Sequence, residues 1–177
     1  MKYILDFDRT LFDTQAYVAT VKQAGLTLAE RITPDIWDQY QVRDFLYPEV
    51  LDWLRSKNKA DLHILTAISP ELGPLATEFQ KQKLHSGNFF EFVSDITFMT
   101  GDKGSYVKEI AGDTEAVFLD DKVSHHISVH DHAPAVHCVL IRRPGESSVE
   151  AATADFVTVS NLNELDQYIE TIGGNTR

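Results

Sequence analysis

Short apolar runs that suit β-strands alternate with stretches of helical period along most of this chain. The first run, residues 2–5, is mostly apolar and rich in strand formers. Further strands are expected at 61–66, 116–119, 136–141 and 156–159, and another extended piece within 89–98. Helical spacing falls between them. Val50, Leu51 and Leu54 mark a helix ending near Lys57-Asn58, and others are expected at 70–84, 103–110, 123–130 and 162–172. Near-continuous apolar strands separated by helices predict a parallel sheet covered on both faces, an α/β Rossmann-like fold over residues 1–177 as one domain. Ligands of such sheets bind at the carboxyl ends of the strands, so chemistry is expected where the strands run out.

Residues 14–46 break the alternation. Ala16, Val18, Ala19 and Val21 have helical spacing, and Gly25 ends that helix. Thr33-Pro34-Asp35 predicts a second helix start, with Thr33 as N-cap and Pro34 in the first turn. Ile36, Trp37 and Tyr40 would form its apolar face. With no strand pattern of its own, the segment reads as a small helical cap inserted over the mouth of the main domain. Trp37 and Tyr40 then either line the entrance or pack inward, and Trp53 is expected to pack.

Composition narrows the function. Apolar residues make up 43% and charged residues 24%, which is ordinary for a globular domain. A net charge of −11 argues against binding to duplex nucleic acid or to an anionic membrane surface. Phosphate substrates stay open, because a metal ion can invert the local field. The single cysteine, Cys138, cannot form an internal disulfide and suits a reducing, cytoplasmic setting. Neither a leader pattern nor an apolar run of membrane-spanning length is expected.

Three strand ends and one helix start carry chemistry. Asp6 and Asp8 follow the first strand directly, and residues i and i+2 of a strand point the same way, so the two carboxylates can meet. Crowded carboxylates persist only if a cation or shared proton relieves them, and Mg²⁺ suits hard oxygen donors. An isolated Asp-x-Asp would equally read as a solvated loop. Thr66 ends the second strand, where its hydroxyl and the next N–H can hold a phosphate oxygen, although threonines are common there. Lys103 opens a helix, where its charge opposes the dipole, so it is either wanted elsewhere or solvated. Residues 116–119 run into Asp120-Asp121, and an N-cap role accounts for one of these acids but not both. His125, His126, His130, His132 and His137 are dense, with His126 and His130 one helical turn apart, a spacing that can bind zinc. Lacking a cysteine partner or a His-Glu-x-x-His pattern, they are expected on a solvated helix face.

The ordered set Asp6-Phe7-Asp8-Arg9-Thr10, Thr66, Lys103 and Asp120-Asp121 resembles the four motifs of the haloacid dehalogenase-like hydrolase superfamily. Each motif follows a strand in the expected order, and together they span nearly the whole chain. Arg9 stands where glycine is often found. The resemblance implies a phosphatase in which Asp6 is the nucleophile, forming an aspartyl-phosphate, and Asp8 is the general acid and then base. It implies Mg²⁺ held by Asp6, the main-chain carbonyl of Asp8, and Asp120, with Asp121 in support. Thr66 and Lys103 would bind the phosphoryl oxygens, and Thr10 would fix the loop that carries both aspartates.

The expected substrate is a small-molecule phosphomonoester. Dehalogenation does not need an acid at Asp8, and a phosphonatase uses a cap lysine, for which the insertion offers only Lys22. A phosphotransferase would need a larger cap to shut out water. A non-catalytic phosphate-binding module is the reading from another class, opposed by the intact motif set. Two short helices roof the opening without sealing it unless a second copy of the chain closes it. Bulky esters, a nucleotide stacked on Trp37 among them, should therefore enter.

Overall fold

The computed structural model describes residues 1–145 and 156–173. Six strands, β1 (Lys2–Leu5), β2 (Leu62–Ala67), β3 (Asp95–Met99), β4 (Ala116–Asp120), β5 (His137–Ile141) and β6 (Val157–Val159), form one sheet in the order β3-β2-β1-β4-β5-β6. Every pairing is parallel. The α/β Rossmann-like architecture expected from the apolar alternation is the one observed. Strand order reverses beside β1, so the crevice between the ends of β1 and β4 is the switch point where such sheets take ligands.

Alternation along the strands builds two cores. Leu5, Ile64, Val117, Leu119 and Val139 face one way, under α4 (Val50–Ser56), α5 (Leu75–Ser86) and α8 (Leu162–Gly173). Ile4, Leu65, Ala116 and Phe118 face the other, under α6 (Gly104–Ala111) and α7 (Val123–His132). Strands buried on both faces need apolar residues throughout, which is why they read as unbroken runs rather than alternating ones.

Residues 14–45 hold α1 (Thr14–Gln23), α2 (Leu28–Arg31), α3 (Ile36–Gln39) and a 3-10 turn (Val42–Phe45). The segment leaves and rejoins the main fold at one neck, where Asp13 N–H donates to Phe45 O (2.7 Å) and Tyr47 N–H to Leu11 O (3.2 Å). The expected cap at Thr33 is absent. Thr27 caps α2 instead, in a reciprocal box with Glu30, while α3 begins at Asp35 with no side-chain cap bond. The inward face of α1 is Tyr17 and Val21; Ala16 and Ala19 are exposed.

Two further expectations change. The helix expected over 70–84 is a 3-10 turn (Pro70–Leu72) followed by α5, parted at Gly73, whose φ of 84° lies in the left-handed region. Within 89–98 only β3 is extended, preceded by a 3-10 turn (Phe89–Glu91). Among the described residues, no helix is long and apolar enough to cross a membrane.

Candidate active site

Sheet register brings the strand-end residues together. Leu5 pairs with Leu119 and with Ile64, and Asp6 N–H donates to Leu119 O (2.9 Å), so Asp6 leaves the sheet beside Asp120 with Thr66 on its other flank. Beyond Asp6 the chain folds back tightly. Leu11 and Phe12 N–H both reach Phe7 O (2.9 Å each), and Arg9 N–H reaches Phe12 O (2.7 Å). Arg9 takes φ 63°, a region costly for a side chain but easy for glycine.

That loop is anchored from two strands away in the sheet. Arg143, just past β5, donates to Thr10 O through Nε (3.0 Å) and Nη2 (2.6 Å), pairs with Glu49, and stacks over Tyr47 at 4.0 Å. Thr10 is fully buried, but its hydroxyl has no hydrogen-bond partner among the described residues; its carbonyl makes the contact.

Lys103 sits just before α6 with no exposed surface, and its Nζ touches Asp6 Oδ1 and lies 2.8 Å from Asp120 Oδ2. It reaches them because Gly104 lets α6 close on α7: a Cβ there would stand 2.4 Å from Ser128 O. Burial alone would depress the Lys103 pKa, but Asp120 and Asp6 outweigh it and raise it. Asp120 also accepts from Lys122 N–H (2.8 Å) and His125 Nδ1 (2.9 Å).

Asp6, Asp120 and Asp121 each place a carboxylate oxygen within 4.8 Å of the others. Lys103 compensates only part of this charge. Burial raises the Asp6 carboxyl to about 6 despite Lys103, and burial together with Asp6 and Asp120 raises Asp121 to about 8. Three all-oxygen donors with excess negative charge fit a hard divalent cation rather than zinc.

The Asp8 carboxylate turns elsewhere. It accepts from Lys83 Nζ (2.6 and 2.9 Å), Gln80 Nε2 (2.8 Å) and Thr14 Oγ1 (2.9 Å). Gln80 Nε2 also reaches Thr66 Oγ1 (2.7 Å), so one amide links the two motif residues. Burial would raise the Asp8 pKa, but the charge and hydrogen bonds of Lys83, with those of Gln80 and Thr14, hold it below the ordinary value. The Asp8 carboxylate is thus no member of the three-acid group, although both motif aspartates line the same cavity. Lys83 and Gln80 carried no sequence signal beyond lying one helical turn apart. A solvated polar face would look the same.

Of the histidines expected on a solvated helix face, His130 and His132 are exposed, but the two nearest Asp120 are not. His125 and His126 are buried, and His126 Nε2 lies 3.0 Å from Asp120 O. A carbonyl only accepts, so Nε2 carries a proton, and burial lowers the His126 pKa. Among the described residues no histidine joins a group able to hold a metal ion.

These groups line a cavity of about 500 Å³ that includes Asp6, Asp8, Thr66, Lys83 and Asp121. Trp37 and Tyr40 do not line it. Trp37 is buried against Phe12, Tyr17 and Phe79, which removes it as a stacking platform for a nucleotide base. Its place is taken by Tyr17, Val18, Leu28 and Phe79.

No protein-family model matches the sequence. No curated protein matches it significantly either. Solved structures do. A haloacid dehalogenase-like family hydrolase from Xanthomonas campestris superposes with a TM-score of 0.63 at 14% identity, over 99% of this chain and 97% of that one. A dehalogenase gives 0.61 at 14% identity over 94% and 96%, and the haloacid dehalogenase-like protein SP0104 from Streptococcus pneumoniae gives 0.55 at 16% over 94% and 97%. At such identities the likeness is one of fold, running over nearly the full length of both partners. The chain has the fold of the haloacid dehalogenase-like hydrolases.

Proposed function

We propose that this protein is a Mg²⁺-dependent phosphomonoester hydrolase that works through an aspartyl-phosphate on Asp6. The carrying observation is the Asp6 carboxylate, pinned by Lys103 at the switch point with Asp120 and Asp121 within 4.8 Å. In this reading one Asp6 oxygen attacks phosphorus, the bond to the ester oxygen breaks, and water then cleaves the acyl phosphate. Lys103 holds Asp6 in line and, with Thr66, binds phosphoryl oxygens. Asp8 passes a proton to the departing oxygen and later takes one from water. Asp6, Asp120, Asp121 and the Asp8 carbonyl would hold Mg²⁺, which supplies charge neutralisation for the phosphoryl group.

The three-acid group favours phosphoryl chemistry over carbon–halogen cleavage, which has no phosphoryl charge to offset. Residues 14–46 serve as a small lid, and a cavity open to water favours hydrolysis over transfer. Turnover of p-nitrophenyl phosphate with Mg²⁺, abolished by EDTA and by Asp6→Asn, is the expected result. Turnover that survives both would overturn the reading, as would no turnover of any phosphoester.

A further inference from the structure

The cavity extends beyond the phosphate-binding floor. Its outer part is apolar, made by Tyr17, Val18, Leu28 and Ile32 from the helical segment and by Leu72 and Phe79 from the core side. Leu28 is 55% exposed at its rim, a large apolar side chain left facing water. The Tyr17 hydroxyl is engaged, donating to Arg31 O (2.6 Å), so what Tyr17 offers a ligand is its ring. The wall suits an apolar or aromatic body far better than a polyhydroxylated one.

The helical segment that supplies this wall also supplies one of the cavity's cations. Arg31 lines the cavity, half-buried, held by Nε to Thr27 O (3.2 Å), with no carboxylate at ion-pair distance among the described residues. Its sequence neighbour Glu30 is turned away, bound to Thr27 N–H (2.7 Å) and Oγ1 (2.6 Å) in the helix cap. The chain has 27 acids to 16 Lys and Arg, so an arginine without an acid beside it runs against the overall charge. Of the other cavity cations, Lys83 pairs with Asp8, Arg142 donates to Asp121 O, and Arg143 holds Thr10 O and Glu49, while Arg9 and Lys122 belong to the surroundings of Asp121, whose pKa they lower.

We infer that the preferred substrate is an aryl or similarly rigid apolar phosphomonoester whose leaving group carries a second anion. The body lies in the lobe between Phe79 and the helical segment, and the anion pairs with the Arg31 guanidinium, whose unused N–H groups form a fork suited to a carboxylate or phosphate. This rests on the phosphohydrolase reading and adds the leaving-group chemistry to it.

The test compares acetyl phosphate, glycerol 3-phosphate, phenyl phosphate and 4-carboxyphenyl phosphate with Mg²⁺. Phenyl phosphate should exceed glycerol 3-phosphate in kcat/KM by roughly tenfold, the worth of one buried ring. 4-Carboxyphenyl phosphate should exceed phenyl phosphate by a further factor of about ten, as a charge-assisted contact gives. That second ratio should fall towards one in Arg31→Gln, survive in part in Arg31→Lys, and shrink with added salt. A ratio near one in the wild type, or one that Arg31→Gln leaves unchanged while the variant melts normally, overturns the anion site. Equal use of glycerol 3-phosphate and phenyl phosphate overturns the apolar lobe. In either case turnover of acetyl phosphate leaves the hydrolase reading standing, whereas no turnover of any of the four removes both.

Discussion

Lys83 Nζ lies 2.6 Å from Asp8 Oδ1, an ion pair made across 75 residues by α5 and the loop after β1. The lysine is buried with its ammonium 4.8 to 5.5 Å from the ring centres of Phe12, Phe7 and Phe79. Lys83→Met keeps the volume among those rings and removes the charge that most opposes the effect of burial on Asp8. The Asp8 pKa should then rise, so its acid form persists to higher pH. The descending limb of kcat against pH, measured on an ester with a poor leaving group, should move to higher pH. A limb that stays in place would mean that Lys83 does not set the protonation of Asp8.

Asp120→Asn should weaken Mg²⁺ activation by tenfold or more, since it removes one oxygen of a three-acid group. His126→Gln should change it by less than about twofold, because His126 contacts the Asp120 carbonyl rather than the cation-seeking carboxylates. Titrating activity with Mg²⁺ separates the two, and a larger effect from the histidine would put the metal elsewhere.

Arg143→Met should lower stability by roughly 3 kcal/mol, the low end for breaking a buried pair, because Glu49 keeps some contact with water. It should also lower activity, since Arg143 holds the loop of Asp6 and Asp8 through Thr10 O. The pair has a pH signature. Burial would raise the Glu49 pKa, but Arg143 outweighs it and holds it below the ordinary value. Its contribution is therefore present above the usual Glu pKa of about 4.3 and lost as pH falls through the lower folded-state value. Denaturant melts should show a gap between wild type and Glu49→Gln at pH 7 that narrows below about pH 4; a gap independent of pH would refute this.

Gly104→Ala should destabilise by about 1–3 kcal/mol and reduce turnover as well, since the added methyl meets the backbone of α7 at Ser128 and shifts Lys103 next to it. Thermal melts and p-nitrophenyl phosphate turnover measure both. Unchanged values would show that α6 and α7 have room to spare.

Pattern alone carried the layered α/β fold, because strands buried on both faces must be apolar along their whole length and the helices covering them need only one apolar side. It also pointed to Asp6, Asp8, Thr66, Lys103, Asp120 and Asp121, since functional side chains of a parallel sheet sit where apolar runs end, and a lysine opening a helix or two acids closing a strand are locally costly. Tertiary structure alone decided their partners. Register set Asp6 beside Asp120, while the docking of α5 against the β1 loop brought Gln80 and Lys83 onto Asp8. It also sent Trp37 inward and turned His125 and His126 to the sheet, where their sequence spacing suited a wet surface equally well. A helical period says which residues share a face. What that face meets is settled by contacts between residues far apart in the chain, and no local pattern encodes them.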